Sequence, residues 1–319
     1  THTGSSAASD VYKRQGHGSM LLYSLLYLTD HKDMTIQEIK KFRQLGSKCA
    51  GHPEYGHAKG IETTTGPLGQ GIGNAVGMAL AEEILRKQFG EKIVNHFTYV
   101  IASDGDLMEG ISHEVASFAG HLKLNKLIVF FDDNGISIDG PVKLANSENT
   151  SERFKAYGWN TTKINGHKPK EIIQSIKKAQ RSKKPTLILC KTKIGFGSPN
   201  KQGKSSVHGS PLGENEVKLT RIKLDWPHKP FTVPKNILDE WKSLSKKSID
   251  EYKTWKLNYE KLPKNKKAQY IRRIDGKLPL KLNQNFNRFK KKYIKKPLDV
   301  ATRQASEMVI NAISSTLPE

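Results

Sequence analysis

Between residues 72 and 89 the sequence IGNAVGMALAEEILRKQF brings apolar residues round at Ile72, Val76, Ala79, Leu80 and Ile84, the three-to-four spacing of a helix with one buried face. Upstream, MTIQEIKKFRQL sets Ile36, Ile39 and Phe42 three apart and predicts a short amphipathic helix over 34–45. Between these two the periodicity stops: GHPEYGHAKGIETTTGPLGQG is a long loop rich in glycine, and loops of that length inside compact domains are usually functional or disordered. Downstream the pattern alternates. HFTYVIAS reads as a buried strand, ISHEVASFAGHL as a helix, and KLIVFFDD as a second buried strand rich in β-branched and aromatic residues. SERFKAYG then predicts a helix, GWNTTKIN a strand, PKEIIQSIKKAQRS a helix with Ile172, Ile173 and Ile176 on one side, and PTLILCKT a strand.

Strands alternating with helices predict an α/β fold, a doubly wound parallel sheet with helices on both faces. Past residue 226, helical stretches broken by PHKP, LPKN and KLPL read as a mostly helical basic wrap. No internal repeat is found. The first fifteen residues, THTGSSAASDVYKRQ, lack an initiator Met and an apolar period and are set aside as a leader foreign to the fold. The expected organisation is therefore a leader over 1–15, an α/β domain over 16–225, a helical wrap over 226–296 and the start of a further domain over 297–319.

Composition changes this picture little. Hydrophobic residues make up 36% of the 319 residues and charged residues 26%, a globular balance. Lys+Arg 53 against Asp+Glu 31 gives a net charge of +22, with the lysines densest over 241–296. A solvated lysine-biased surface accounts for this, because no zinc spacing, RNA-binding aromatic signature or basic zipper accompanies the charge; no nucleic-acid partner is expected. No apolar run approaches the roughly 20 residues of a membrane span, so no membrane partner is expected either. Cys49 and Cys190 form no disulfide framework, which fits a reducing cytoplasm.

The chemistry gathers at two acidic segments, IASDGDLMEGISHE (101–114) and DDNGISIDG (132–140). Asp104 follows one predicted strand and Asn134 another, and in an open α/β sheet ligands sit outside the carboxyl ends of the strands. If the strands are neighbours, a carboxylate, an amide oxygen and a backbone carbonyl near Ile136 would converge. A hard cation such as Mg²⁺ takes oxygen ligands of this kind and keeps water or substrate phosphate for the rest. Gly105 would let a phosphate approach closely, and the helix starting beside it would add N–H donors. From spacing alone a helix cap at Asp104 and a turn at Asn134 account for the same residues equally well.

Several long motifs in order carry a resemblance: GHGSMLLYSLLYLT, FRQLGSKCAGHPEYG, ETTTGPLGQGIGNAVGMALA, SDGDLMEGISHEVASFAGHLKL, DDNGISIDG, FKAYGW, KTKIGFGSPNK and SVHGSPLG. From Gly16 to about Leu212 they resemble the diphosphate-binding domain of transketolases; the likeness weakens in the helical wrap and returns at ATRQASEMV. The resemblance implies an enzyme that transfers a two-carbon ketol unit from a ketose phosphate to an aldose phosphate, using thiamine diphosphate and Mg²⁺ or Ca²⁺. It implies that Asp104, Asn134 and the carbonyl of Ile136 hold the metal and that Gly105 contacts the diphosphate. Gly66 and Leu68 would meet the aminopyrimidine, and Ile194 would pack on the cofactor. His17 and His208 would lie by the diphosphate and the reacting centre, and His52 would bond the donor sugar. Histidine suits such places because it gives or takes a proton near neutrality. Arg303 would grip the sugar phosphate, and Glu109 and Glu114 would link two active sites across a homodimer. The remaining histidines of the motifs and loops, His113 among them, are expected to be structural or solvated.

The resemblance also implies that a pyrimidine-binding domain, with the glutamate that activates the cofactor, follows ATRQASEMV, and that another active-site histidine precedes GHGSM. The 319 residues alone are therefore expected to lack ketol transfer. Ser103 stands where that family commonly has glycine, and Asp106 where a small neutral residue is usual; Asp106 is expected either to add charge beside the metal or to face water. Dihydroxyacetone synthase and deoxyxylulose-phosphate synthase are the neighbouring enzyme readings. A subunit of a split enzyme, an inactive fragment and a basic binding module are the others.

Overall fold

The computed structural model describes residues 10–13 and 18–317. The chain divides into two compact units, Gly4–Trp255 and Lys256–Glu319.

The first unit is built on a five-stranded parallel sheet in the order β1-β2-β3-β7-β6. Its strands are β1 (Asp10–Lys13), β2 (Thr98–Ala102), β3 (Leu127–Asp133), β6 (Asn160–Asn165) and β7 (Thr186–Lys191). A separate hairpin, β4 (Ile136–Ser137) with β5 (Gly140–Pro141), follows β3. The strand β1 pairs with β2 from Asp10 opposite Thr98 to Lys13 opposite Ile101, so an edge strand lies inside the segment set aside as a leader. Four residues without an apolar period carry no signal that separates such an edge strand from a tail.

Because successive strand side chains point to opposite faces, β2, β3 and β7 feed two cores. Val100, Ala102, Leu127, Val129, Phe131, Leu187 and Leu189 pack with Ile72, Ala75, Val76 and Ala79 of α3 (Gln70–Phe89) and with Ala116 and Ala119 of α5 (Gly110–His121). On the other face Tyr99, Ile128, Ile188 and Cys190 meet Ile176 and Ala179 of α7 (Pro169–Ala179). Each fully buried aliphatic side chain here contributes about 1.5–3 kcal/mol relative to exposure. The doubly wound arrangement expected from the alternating pattern is the one found.

A third cluster, Tyr23, Leu26, Met34, Ile39, Cys49, Ala58 and Ile61, joins α1 (Ser19–Leu28) and α2 (Ile36–Lys40) to the long glycine-rich loop. The helix α2 is shorter than the 34–45 expected, starting after the Thr35 cap, whose hydroxyl accepts from the Glu38 N–H. It cannot run on, since Arg43 takes a positive φ of 62° and donates its N–H to the Cys49 carbonyl.

Beyond α8 (Glu214–Lys223) the chain is helical, as expected. The helix α9 (Lys235–Glu260) carries Trp255, whose indole donates to the Ile93 carbonyl at 2.9 Å. The second unit contains α10 (Lys264–Ile274), α11 (Lys281–Lys295) and α12 (Thr302–Ser314). Among its described residues only Tyr270 is buried. No helix among the described residues is long and apolar enough to cross a membrane.

Candidate active site

β2 and β3 are adjacent and parallel, with Ala102 opposite Phe131, and β3 is adjacent to β7, with Asp133 opposite Lys191. The chain therefore leaves all three strands at one edge of the sheet, strands about 4.8 Å apart. There Asp104 opens α4 (Asp104–Met108), Asn134 follows β3, and Ile194 follows β7.

Asp104 is half-buried, and its carboxyl is pushed up to about 6, first by burial and then by the charges of Asp133 and Asp132. The cation nearest them is Lys191, 3.4 Å from Asp133 and itself 68% exposed. Asp132 is held by neutral donors: the Asn134 Nδ2 donates to its Oδ2 at 3.2 Å, and the Thr192 hydroxyl to its Oδ1. Asn134 is thereby turned so that its amide oxygen accepts from the Ile136 N–H at 2.9 Å. An amide oxygen has two lone pairs, so one is left for a cation. Ile136 pairs with Pro141, while the Val142 N–H donates to the Gly135 carbonyl. This makes Ile136 and Pro141 the non-hydrogen-bonded pair of the ladder, whose N–H and C=O point away from the hairpin. The Ile136 carbonyl therefore emerges on the side of the Asn134 amide oxygen.

The glycine-rich loop closes on this edge. Ser19 and Tyr23 of α1 donate to the carbonyls of Gly51 and Ala50 at 2.9 and 2.8 Å and so fix the approach to His52. The Thr65 N–H donates to the Pro53 carbonyl, which lays Gly66 against His52; a Cβ on Gly66 would stand 3.1 Å from the imidazole. Leu68, 43% exposed, lies over Gly105, where a Cβ would come within 3.2 Å of its Cδ1. His52, Gly66, Leu68, Gly105 and Asp104 are thus consecutive neighbours. Beyond β7 the Gly203 N–H donates to the Ile194 carbonyl at 2.8 Å, and Val207 packs under Gly195, so His208 emerges from a loop tied to Ile194.

Glu109 immediately precedes α5 without a side-chain cap bond and Glu114 sits one turn on, both exposed in the single chain. Arg303 is exposed in the first turn of α12, in the Lys256–Glu319 unit. His17 lies outside the described residues. Asp106 corrects its expectation: it is fully buried, and its Oδ2 accepts from both the Ser103 N–H at 3.0 Å and the Ser103 hydroxyl at 2.9 Å. The two departures from the family pattern are one interaction. The helix dipole expected beside Gly105 is small, because α4 has five residues and few aligned peptides.

Sequence reading missed Asp132, Thr192 and Arg153. Asp132 had a signal in the doubled aspartate of DDNG; Thr192 and Arg153 act across 60 and 46 residues and had none.

The residues fit a bound metal and diphosphate in three respects. Three carboxylates gather with little internal compensation, an amide oxygen and a backbone carbonyl face the same side, and the Gly105 backbone is left open of its own side chain. Among the described residues no three His, Cys, Asp or Glu side chains form a metal-binding group.

The family described as "Transketolase, thiamine diphosphate binding domain" matches residues 12–279. The transketolase of Rhodobacter capsulatus is 47% identical over 304 residues, 95% of this chain and 45% of that protein. The crystal structure of transketolase from Campylobacter jejuni superposes with a TM-score of 0.85 at 35% identity, covering 99% of this chain and 48% of that one. The Pichia stipitis transketolase in complex with sedoheptulose-7-phosphate gives 0.88 at 37% identity, over 99% and 47%. The chain thus spans about half the length of the relatives it matches. A match over most of the chain, spanning the glycine-rich loop and the acidic segments that meet at the sheet edge, places this chain in the transketolase family, within its thiamine diphosphate-binding domain.

Proposed function

We propose that this chain supplies the diphosphate-binding half of a transketolase, which moves a two-carbon ketol unit from a ketose phosphate to an aldose phosphate. The observation that carries the reading is the meeting of Asp104, Asn134 and Ile194 at the ends of three adjacent parallel strands, among carboxylates paired only with the exposed Lys191 among the described residues. In this reading Asp104, the Asn134 amide oxygen and the Ile136 carbonyl hold Mg²⁺ or Ca²⁺. Gly105 admits the diphosphate, Gly66 and Leu68 meet the aminopyrimidine with backbone groups, and Ile194 packs on the cofactor. When bound, thiamine diphosphate supplies the thiazolium carbon that carries the transferred unit.

The protein's own part is to orient, exclude water and move protons. His52, set against Gly66, donates to the donor sugar near its carbonyl oxygen. His208 is assigned a place by the diphosphate and the reacting centre, and His17, outside the described residues, is assigned the same role from the family resemblance alone. Arg303 takes the sugar phosphate, for which a planar guanidinium offers paired N–H donors. A Pichia stipitis relative is described in complex with sedoheptulose-7-phosphate, which supports sugar phosphates as the substrate class. Glu109, Glu114 and the exposed Ile111, Phe118 and Leu122 beside them on and just after α5 support a homodimer with active sites at the interface. Both cysteines are free and buried, which suits the cytoplasm.

The test is twofold. Titration of the chain with thiamine diphosphate should show binding that needs Mg²⁺ or Ca²⁺. The protein expressed from the whole reading frame in which these residues lie should transfer ketol units between sugar phosphates. Transfer to formaldehyde in preference to sugar phosphates would point instead to a dihydroxyacetone synthase. A salt-sensitive nucleic-acid complex without cofactor binding would point to a basic module.

A further inference from the structure

A five-residue helix does not form by itself in water, because the first turn fixes several residues for a single hydrogen bond. Yet α4 is that short and carries Asp104 and Gly105. Side chains hold both of its ends. Before it, Ser103 and Asp106 bond to each other. At its last turn the Ser112 hydroxyl donates to the Asp106 carbonyl at 2.6 Å, and Arg153 Nη2 donates to the Leu107 carbonyl at 3.0 Å.

Arg153 comes from α6 (Thr150–Ala156), which lies between the hairpin and β6. Its side chain is 11% exposed, and its Nη2 also stands 2.6 Å from Glu148 Oε1. Its Nη1 lies 3.1 Å from the ring nitrogens of His113 on α5, and His113 Nδ1 is 3.1 Å from the Tyr157 hydroxyl. One guanidinium thus meets α4, α5 and the segment before α6. The Lys155 side chain on the same helix makes an exposed ion pair with Glu152. A lysine at 153 would be a point charge on a flexible stem, unable to present paired donors in a fixed plane.

We propose that Arg153 is a positioning residue for the cofactor site: it fixes α4 from behind and so sets where Asp104 and Gly105 stand, and through His113 it fixes the α5 turn that carries Glu109 and Glu114. The inference rests on the reading of Asp104 and Gly105 as cofactor ligands.

Its test compares Arg153→Lys and Arg153→Met with Lys155→Met as the control. The first readout is amide hydrogen exchange at Leu107, whose N–H bonds to the Ser103 carbonyl at 3.1 Å, against Val129 and Leu189 in the sheet. The second is affinity for Mn²⁺ together with thiamine diphosphate. Both Arg153 variants should speed exchange at Leu107 about tenfold or more, leave the sheet amides unchanged, and weaken Mn²⁺-dependent cofactor binding about ten- to a hundred-fold, as losses of groups that orient metal ligands do. Lys155→Met should do neither. Unchanged exchange at Leu107 in both variants would overturn the inference, as would faster exchange with undiminished affinity. A wild-type chain that binds neither Mn²⁺ nor thiamine diphosphate would instead sink the site reading and the cofactor role of Arg153 with it; exchange at Leu107 would then decide the remaining claim, that Arg153 holds α4. If Arg153→Met fails to fold, Arg153→Lys carries the comparison.

Discussion

Two groups of carboxylates lie at opposite ends of β3. Before the strand, Glu82 of α3 is 2% exposed and meets Lys126 at 2.6 Å and Arg86 at 3.4 Å. After it lie Asp104, Asp132 and Asp133, where Asp132 accepts from the Asn134 amide and the Thr192 hydroxyl and Asp133 meets one exposed lysine, Lys191. The first group is neutralised from within the chain and belongs to the architecture. The second holds more negative charge than its one exposed lysine offsets, and there Asp104 is pushed up rather than down. Charge completed within the chain belongs to the structure; charge left incomplete is what supports the proposed cation site.

The largest effect that would sharpen this contrast is at Glu82. Replacing it with Ala leaves the largely buried Lys126 without its carboxylate, and loss of one partner of a buried pair costs about 3–5 kcal/mol. Chemical denaturation measures this, and a loss near zero would dissolve the contrast. Asp104→Asn should act with the opposite sign on stability. Without metal, relief of repulsion from Asp132 and Asp133 should leave the fold as stable or more so, while metal-dependent affinity for thiamine diphosphate falls about ten- to a hundred-fold. Calorimetric titration that finds the same metal dependence in the variant would remove Asp104 from the ligand set.

Asp106→Ala comes next. The sequence reading allowed Asp106 to face water with little consequence; its burial against Ser103 now predicts a loss of about 0.5–2 kcal/mol, the range for removing a helix cap. A melting curve unchanged from wild type would show that the Ser103 pair contributes nothing. The smallest effect is one of pH. The Glu216 carboxyl is held down to about 2 by the Ser198 hydroxyl and by the side chain and backbone of Asn200. A depressed carboxyl stabilises the fold fully above its ordinary value of 4.5 and loses that contribution as pH falls towards about 2. The protection of the Asn200 and Lys201 amides, measured relative to their intrinsic exchange at each pH, should therefore fall between pH 5 and about 3. Glu216→Gln should flatten that dependence, and a slope preserved in the variant would assign it to another group.

The elements of the sheet and its two flanking faces were legible because their apolar positions recur within a few residues. The match of Ile72, Val76 and Ala79 to the buried face of α3 shows this. It fails at Ile84, which is 37% exposed, while Glu82 takes the interior because Lys126 arrives from 44 residues downstream. Likewise Asp104 and Asn134 were readable as residues ending adjacent strands. The Asp132 contact with Thr192 and the Arg153 contact with Leu107 were not, since a side chain's distant partner leaves no periodic trace. The edge strand β1 shows a third limit: strand pairing is a property of the neighbour, and Asp10–Lys13 advertises none.

The groups facing the sheet edge come from four separated stretches: His52 to Leu68, Ser103 to Asp106, Asp132 to Ile136 and Lys191 to His208. Such a site exists only once the whole α/β unit has folded, so a ligand taken there binds the native state and not the unfolded chain. Mass action then makes the ligand part of the folding equilibrium, adding about 2.7 kcal/mol at a free concentration one hundred times its Kd. For a protein of this design, shortage of cofactor would be felt as faster turnover of the polypeptide as well as slower chemistry.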